Sequence, residues 1–500
     1  MTPSKSSAPK TSALKYLLVL IGLFAIGIGC YYVSAMIKRE KTAAMEIAAT
    51  EQAESVVTVA KPTKVPIQEI TTPKGLKVWL VEDKTLPILS IDFSFPGGLA
   101  LQSKDEIGLA YLVSIMLDEG AGPYNSQDFQ KELANNVIDL GFSAGRDHFS
   151  GSLKTLSKYQ DKAFELLHLS LTEARFEETA LDRMKNSTIN SILRNLGSPN
   201  WNAARIFNGT VFQGHSYESP GQGNLDTIPS FKPDDLKGFA QKQFVRAGMK
   251  ISVSGNISAD ELAEKLDSIF ADLPEGTSKE QKADNAAIYK KATGKTYVFN
   301  MDIPQSIIQF AHKGISVHDP EYPAAALLEY ILGGGGFSSR LMQSLREDNG
   351  LTYGIYTGLS NAKHAQLLQG QFSTKNETAA KAIQLLKEEW TKMATDGPTD
   401  VELQDAKNYL IGSFPLALTS TSKISGLLNS LQKYDRDIDY INTRTERINN
   451  VTREDVQKVA TRLLKADDLS FIIVGQPQDL KDTIKVTELP GMSLPPKGQP

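Results

Sequence analysis

IPSFKPDDLKGFAQKQFVRAGMKISVSGNI, residues 228–257, and INNVTREDVQKVATRLLKADDLSFIIVGQP, residues 448–477, align without a gap at an offset of 220. Ile228/Ile448, Asp235/Asp455, Ala240/Ala460 and Gly255/Gly475 are identical. Both stretches read as a helix followed by a strand that ends in glycine. A second match lies upstream: the strand, turn and apolar helix of 88–117 recur at about 305–332. Two matches in the same order, at similar offsets, mark an internal duplication. Strands alternate with helices, and some strands are adjacent in sequence. The expected fold is therefore α+β, with two homologous halves, each a mixed, largely antiparallel sheet with helices packed on it.

A chain of 500 residues exceeds one ordinary core. Its 41% hydrophobic and 22% charged residues are those of a globular protein. The net charge of −4, with no basic stripe interleaved with aromatics, argues against nucleic acid as a partner. The single cysteine, Cys30, excludes an intrachain disulfide and argues against a cysteine-based metal site. Residues 16–37, YLLVLIGLFAIGIGCYYVSAMI, are almost wholly apolar. As a helix they span about 33 Å, against about 30 Å for a bilayer core. Lys5, Lys10 and Lys15 on one side balance Lys38, Arg39 and Lys41 on the other, so charge does not set the orientation. The segment reads as a transmembrane anchor, or else as a signal peptide cut near Val33-Ser34-Ala35. The expected organisation is a flexible N-terminus (1–15), the anchor (16–37), a stalk (38–62), a first half (63–273), a polar linker (274–295), a second half (296–480) and a disordered Pro/Gly-rich tail (481–500).

Periodicity predicts strands over 76–81, 88–95, 149–156 and 250–254. It predicts helices over 108–117, 127–140, 158–174, 177–196, 232–244 and 259–270, with 201–223 rich in loops. In the second half, residues 332–358 read LGGGGFSSRLMQSLREDNGLTYGIYTG. Four glycines, Gly333 to Gly336, precede an amphipathic helical stretch over 340–348, stopped by Asn349-Gly350. A strand over 351–357 carries Tyr353 and Tyr356. The spacing lets the Arg346 guanidinium and the Tyr353 phenol meet across a turn lined by bare backbone.

Four segments carry a family resemblance: PGG (96–98), GLAYLVSIMLDEG (108–120), GHSYESPGQGNLDTI (214–228) and GGGGFSSRLMQSLREDNGLTY (333–353). Over about residues 60 to 480 the chain resembles the pitrilysin / mitochondrial processing peptidase family of zinc metallopeptidases, the inverzincins, in its bacterial short-chain branch. That family's metal motif is H-x-x-E-H on a helix, the histidines binding zinc and the glutamate acting as general base. Here those positions hold Tyr111, Ser114 and Ile115. The third ligand, a glutamate, would fall near Asn190 or Ser191, and no carboxylate lies between Asn186 and Ile192. These residues cannot make a three-ligand zinc site. The six histidines are scattered, with no helical pair. The chain is thus expected to bind no metal and to be inactive alone.

The resemblance further implies that Arg346 and Tyr353 are the family's Arg/Tyr pair, acting in trans over a partner's zinc. It implies that Gly333, Gly334, Gly335, Gly336 and Phe337 form a substrate-contacting loop. Arg340 reads as a structural ion-pair residue. The partner would be a homologous subunit carrying H-x-x-E-H and zinc; the substrate, a peptide or unfolded polypeptide. Anchored relatives suggest a bacterial inner membrane with the bulk of the chain periplasmic, or secretion to the periplasm after signal cleavage. The alternative function is a catalytically inactive scaffold or peptide-binding protein of the same fold.

Overall fold

The computed structural model describes residues 64–277 and 289–492. The expected N-terminus, anchor and stalk lie outside the described residues, as do 278–288 and 493–500. Among the described residues no helix is long and apolar enough to cross a membrane.

Two six-stranded sheets have the same plan. The first contains β1 (Gln68–Thr71), β2 (Lys77–Glu82), β3 (Ile88–Pro96), β4 (Asp139–Ala144), β5 (His148–Leu156) and β6 (Lys250–Gly255), in the order β1-β2-β6-β3-β5-β4. The second contains β7 (Thr296–Asn300), β8 (Gln305–Lys313), β9 (Ile355–Ala362), β10 (Ala365–Lys375), β11 (Ser470–Gly475) and β12 (Thr483–Val486), in the order β12-β7-β11-β8-β10-β9. In each, one inner pair is parallel (β2 with β6, β7 with β11) and the next three pairings are antiparallel. The halves differ at one edge: β1 runs antiparallel to β2, whereas β12 runs parallel to β7.

The identities of the duplication are backbone demands. Asp235 accepts the Lys232 amide at 2.8 Å and Asp455 accepts the Thr452 amide at 2.9 Å, each closing the first turn of its helix. Gly255 and Gly475 end their strands at φ +138° and +149°. A Cβ on Gly255 would lie 2.2 Å from the Ile88 carbonyl oxygen, and one on Gly475 2.8 Å from Ser306 Cα.

Each sheet is covered on both faces. One face packs on helices of its own half and holds that half's main core, with Leu89, Ile91, Phe93 and Phe95 of β3 matched by Ile308 and Phe310 of β8. The other face takes a helix from the opposite half. The helix Thr421–Lys433 lies on β3 and β6, and the helix Pro199–Val211 lies on β8 and β11. The second contact is apolar: Ala203, Ile206 and Phe207 meet Ala311, Ile472 and Val474. The first mixes an apolar patch, Leu428 with Trp79 and Val81, with polar pairs. Ser90 and Thr421 share a hydroxyl hydrogen bond of 2.8 Å, and Ser252 Oγ donates to the Ser425 carbonyl at 2.8 Å. Ser425 also donates to Asp92, whose carboxyl is raised by burial against the opposing hydrogen bond and the Lys433 charge.

Three expectations need correction. The helix expected over 127–140 stops at Asn135, and Asp139 to Ala144 is strand β4. Val137 turns the chain there at φ +52°. The loop-rich stretch contains the helix Pro199–Val211, with Ser198 Oγ accepting the Trp201 amide at 3.4 Å. Packing on the other half's sheet outweighs its Asn- and Gly-containing sequence. The tail is ordered as far as Met492: β12 joins the second sheet, and Leu489 is buried. At the end of the linker Ala292 is buried and the Tyr289 hydroxyl donates to the Ala311 carbonyl at 2.5 Å.

Candidate functional site

The glycine run starts in a wide turn, Tyr330–Gly334, that continues the apolar helix Tyr322–Glu329. Gly333 is buried, while Gly334 is exposed and Gly335 and Gly336 are partly so. Gly336 turns at φ +59° with open space around it, and Phe337 stands 66% exposed. Close approach crowds the first three glycines: a Cβ on Gly335 would lie 2.8 Å from the Tyr330 carbonyl oxygen. A Cβ on Gly333 would sit 2.5 Å from Thr357 Oγ1, and one on Gly334 2.5 Å from both oxygens of Glu329.

The amphipathic stretch is less regular than its periodicity predicts. Three residues, Arg340–Met342, are α-helical, and Gln343–Asp348 widens into a looser turn that buries Leu345. Arg340 is held by Glu402 at 2.6 and 2.7 Å and donates to the Gly397 carbonyl at 2.8 Å, as expected of a structural ion pair. The Glu402 carboxyl is accordingly held down at about 2, its hydrogen bonds outweighing the effect of burial. The strand expected over 351–357 begins only at Ile355, so Tyr353 lies in the loop before β9.

Arg346 does not hydrogen-bond Tyr353. Its guanidinium lies over the Phe337 ring, 4.4 Å from the centroid, and its Nε is 3.3 Å from Glu347. Tyr353 is 84% exposed and Tyr356 51%. Phe337 and Tyr353 are thus exposed, and Arg346 is half-buried against the Phe337 ring. At Tyr356 a cavity of about 370 Å³ opens between the halves, with Arg146 and Asn208 on one side and Tyr356, Thr357, Gln369 and Gln371 on the other.

Sequence reasoning missed Glu329. Its carboxyl accepts Thr357 Oγ1 at 2.7 Å under the loop, and burial pushes it up to about 7 despite that hydrogen bond. The signal was present in the duplication. Residues 109–117 and 324–332 share buried positions at 109/324, 110/325, 112/327, 113/328, 116/331 and 117/332. On that register Glu329 stands where the first half has Ser114, flanked by Ala326 and Tyr330 where the first half has Tyr111 and Ile115.

The first half offers no metal ligands at the motif positions. Tyr111, Ser114 and Ile115 close a short helix, and Ser114 Oγ donates to the Tyr111 carbonyl at 2.7 Å. Ser191 Oγ accepts Gln222 at 3.3 Å. His215 and His364 come within 5.9 Å, centroid to centroid, near Asp147. Among the described residues no three His, Cys, Asp or Glu side chains are grouped to hold a metal. The donor set of a zinc site is not among them.

Two equivalent α+β halves, with tyrosine, serine and isoleucine where metal ligands would stand, define a metallopeptidase-type protein without its metal set. Residues 230–410 match the family described as peptidase M16 inactive domain. It is 26% identical to the non-peptidase homolog YmxG of Helicobacter pylori, over 82% of this chain and 93% of that one. It is 22% identical to a probable mitochondrial-processing peptidase subunit beta of Arabidopsis thaliana, over 83% and 80% of the two chains. The crystal structure of a peptidase M16 inactive domain from Pseudomonas fluorescens superposes with a TM-score of 0.76 at 26% identity, covering 83% of this chain and 99% of that one.

Proposed function

We propose that this chain is the non-zinc subunit of a membrane-anchored, heterodimeric metallopeptidase whose bulk lies in the periplasm. Its partner is a homologous chain carrying H-x-x-E-H and the zinc. This chain supplies half of the peptide-binding chamber and two donors, Arg346 and Tyr353, for the oxyanion that develops during peptide-bond hydrolysis. The observation that carries the reading is the exposure of Tyr353 together with the stacking of Arg346 on the exposed Phe337 ring. An 84% exposed tyrosine does nothing for the core of its own half, and Arg346 is held by an exposed ring. Edge strands β4 and β9 suit extended peptide, which adds to an open sheet edge through its backbone.

The test is cleavage of an unfolded polypeptide by the full chain, by an H-x-x-E-H homologue from the same cell, and by both together, with metal content measured on each. The mixture is expected to cleave while the chain alone is inert. Arg346→Ala is expected to lower kcat of the mixture by about 100-fold. Cleavage by the chain alone, with one zinc bound, would overturn the reading. Association of the two chains with no cleavage by either or both would favour an inactive scaffold, the role that the name of the Helicobacter pylori relative suggests.

A further inference from the structure

Away from the glycine-rich loop, a cavity of about 380 Å³ opens on the helical side of the second half. It lies between the segment Val317–Pro323, the helix Tyr322–Glu329 and the helix Tyr440–Asn449. Three arginines reach it: Arg436, Arg444 and Arg447. Arg436 lies 4.6 Å above the Tyr440 ring and 5.6 Å from that of Tyr322, and Arg447 packs on Tyr440 at 4.1 Å. Arg444 donates to the Leu410 carbonyl at 2.8 Å, and Arg447 to the Tyr440 carbonyl at 2.9 Å and to Thr443 Oγ1 at 2.6 Å. Each guanidinium has five N–H donors, so most remain unused.

Among the described residues, none of the three is ion-paired. The one carboxylate on the cavity wall, Asp319, is engaged by Arg462 at 3.5 Å. Burial lowers the pKa of Arg444, and only the Tyr440 phenol opposes the shift. Gathering three guanidinium groups with no ion pair of their own is costly, because each repels the others and a half-buried one has lost water. An anion removes that cost. The remaining wall carries His318 and an apolar surface that includes Val317, Ala326 and Ile448.

We infer that this cavity binds a small organic oxyanion, a carboxylate or phosphate ester on a flat apolar body. The arginine forks would hold the anionic head, and the body would rest on the apolar wall between the tyrosine rings.

The test is calorimetric titration of the full chain with benzoate, phenyl phosphate and inorganic phosphate at low ionic strength. Benzoate or phenyl phosphate is expected to bind, and the difference between them identifies the preferred head. Arg436→Gln and Arg447→Gln are each expected to weaken binding about tenfold. Arg175→Gln, which removes one distant surface charge, is expected to leave it unchanged. Circular dichroism shows whether each variant is folded, and two separate arginine variants keep the test valid should one fail. No binding of either organic anion, or binding that Arg175→Gln weakens as much as the cavity variants, would overturn the inference. Inorganic phosphate binding as tightly as phenyl phosphate would overturn the ligand class.

Discussion

Glu329 is a carboxyl with a pH-dependent cost. In the folded chain burial holds it up to about 7, above its ordinary 4.5. Between those values the unfolded state has released a proton that the folded state keeps. Stability therefore falls as pH rises through that window and levels off above it. Glu329→Gln keeps an acceptor for Thr357 but carries no charge. It is expected to add about 2 kcal/mol at pH 8 and close to nothing at pH 4, measured by urea unfolding at both. Arg346 and Tyr353 should behave in the opposite way. Tyr353→Phe removes a hydroxyl from an exposed side chain, so stability should change by less than about 0.5 kcal/mol while the activity of the complex falls. The Arg346–Tyr353 spacing was legible in the chain; the stacking of Arg346 on Phe337 was not. Which aromatic a guanidinium meets depends on where the loop turns, and two wide turns, at Tyr330–Gly334 and Gln343–Asp348, break the helical register.

At the scale of elements, the duplication was readable because its identical residues answer to backbone geometry. Gly255→Ala places a methyl group against the Ile88 carbonyl, and the expected loss is about 3 kcal/mol or more, seen in chemical denaturation. Asp455→Ala removes the acceptor at the start of its helix and should cost about 1 kcal/mol by the same measurement. The elements that escaped the reading are held by partners far away in sequence. Strand β12 depends on β7, nearly two hundred residues earlier, and the helix Pro199–Val211 depends on β8 and β11. Local periodicity carries no trace of such partners. β4 was hidden differently: the turn at Val137 leaves no glycine or proline to mark it, so its apolar residues read on as helix.

At the scale of the molecule, the exchanged helices make the halves one folding unit. Leu428 is fully buried in the first half's sheet although it belongs to the second half's chain. Leu428→Ala is expected to cost about 3 kcal/mol and to lower the midpoint of a single transition. Hydrogen exchange should report the same loss in β3 and in β8. Protection lost in β3 alone would mean that the halves unfold separately.

The same exchange sets a clock on the ribosome. Val65 is bonded through its amide, at 2.8 Å, to the side chain of Asn442, and Arg205 donates to the Pro490 carbonyl at 3.0 Å. The earliest described strands are therefore made long before the helix Thr421–Lys433 that covers them emerges. At synthesis rates of about 5–20 residues per second, that interval is tens of seconds. Throughout it Trp79 and Val81 face water, so nascent chains halted before residue 421 should be cut by protease within the first sheet and should hold on to a chaperone, whereas released chains should do neither.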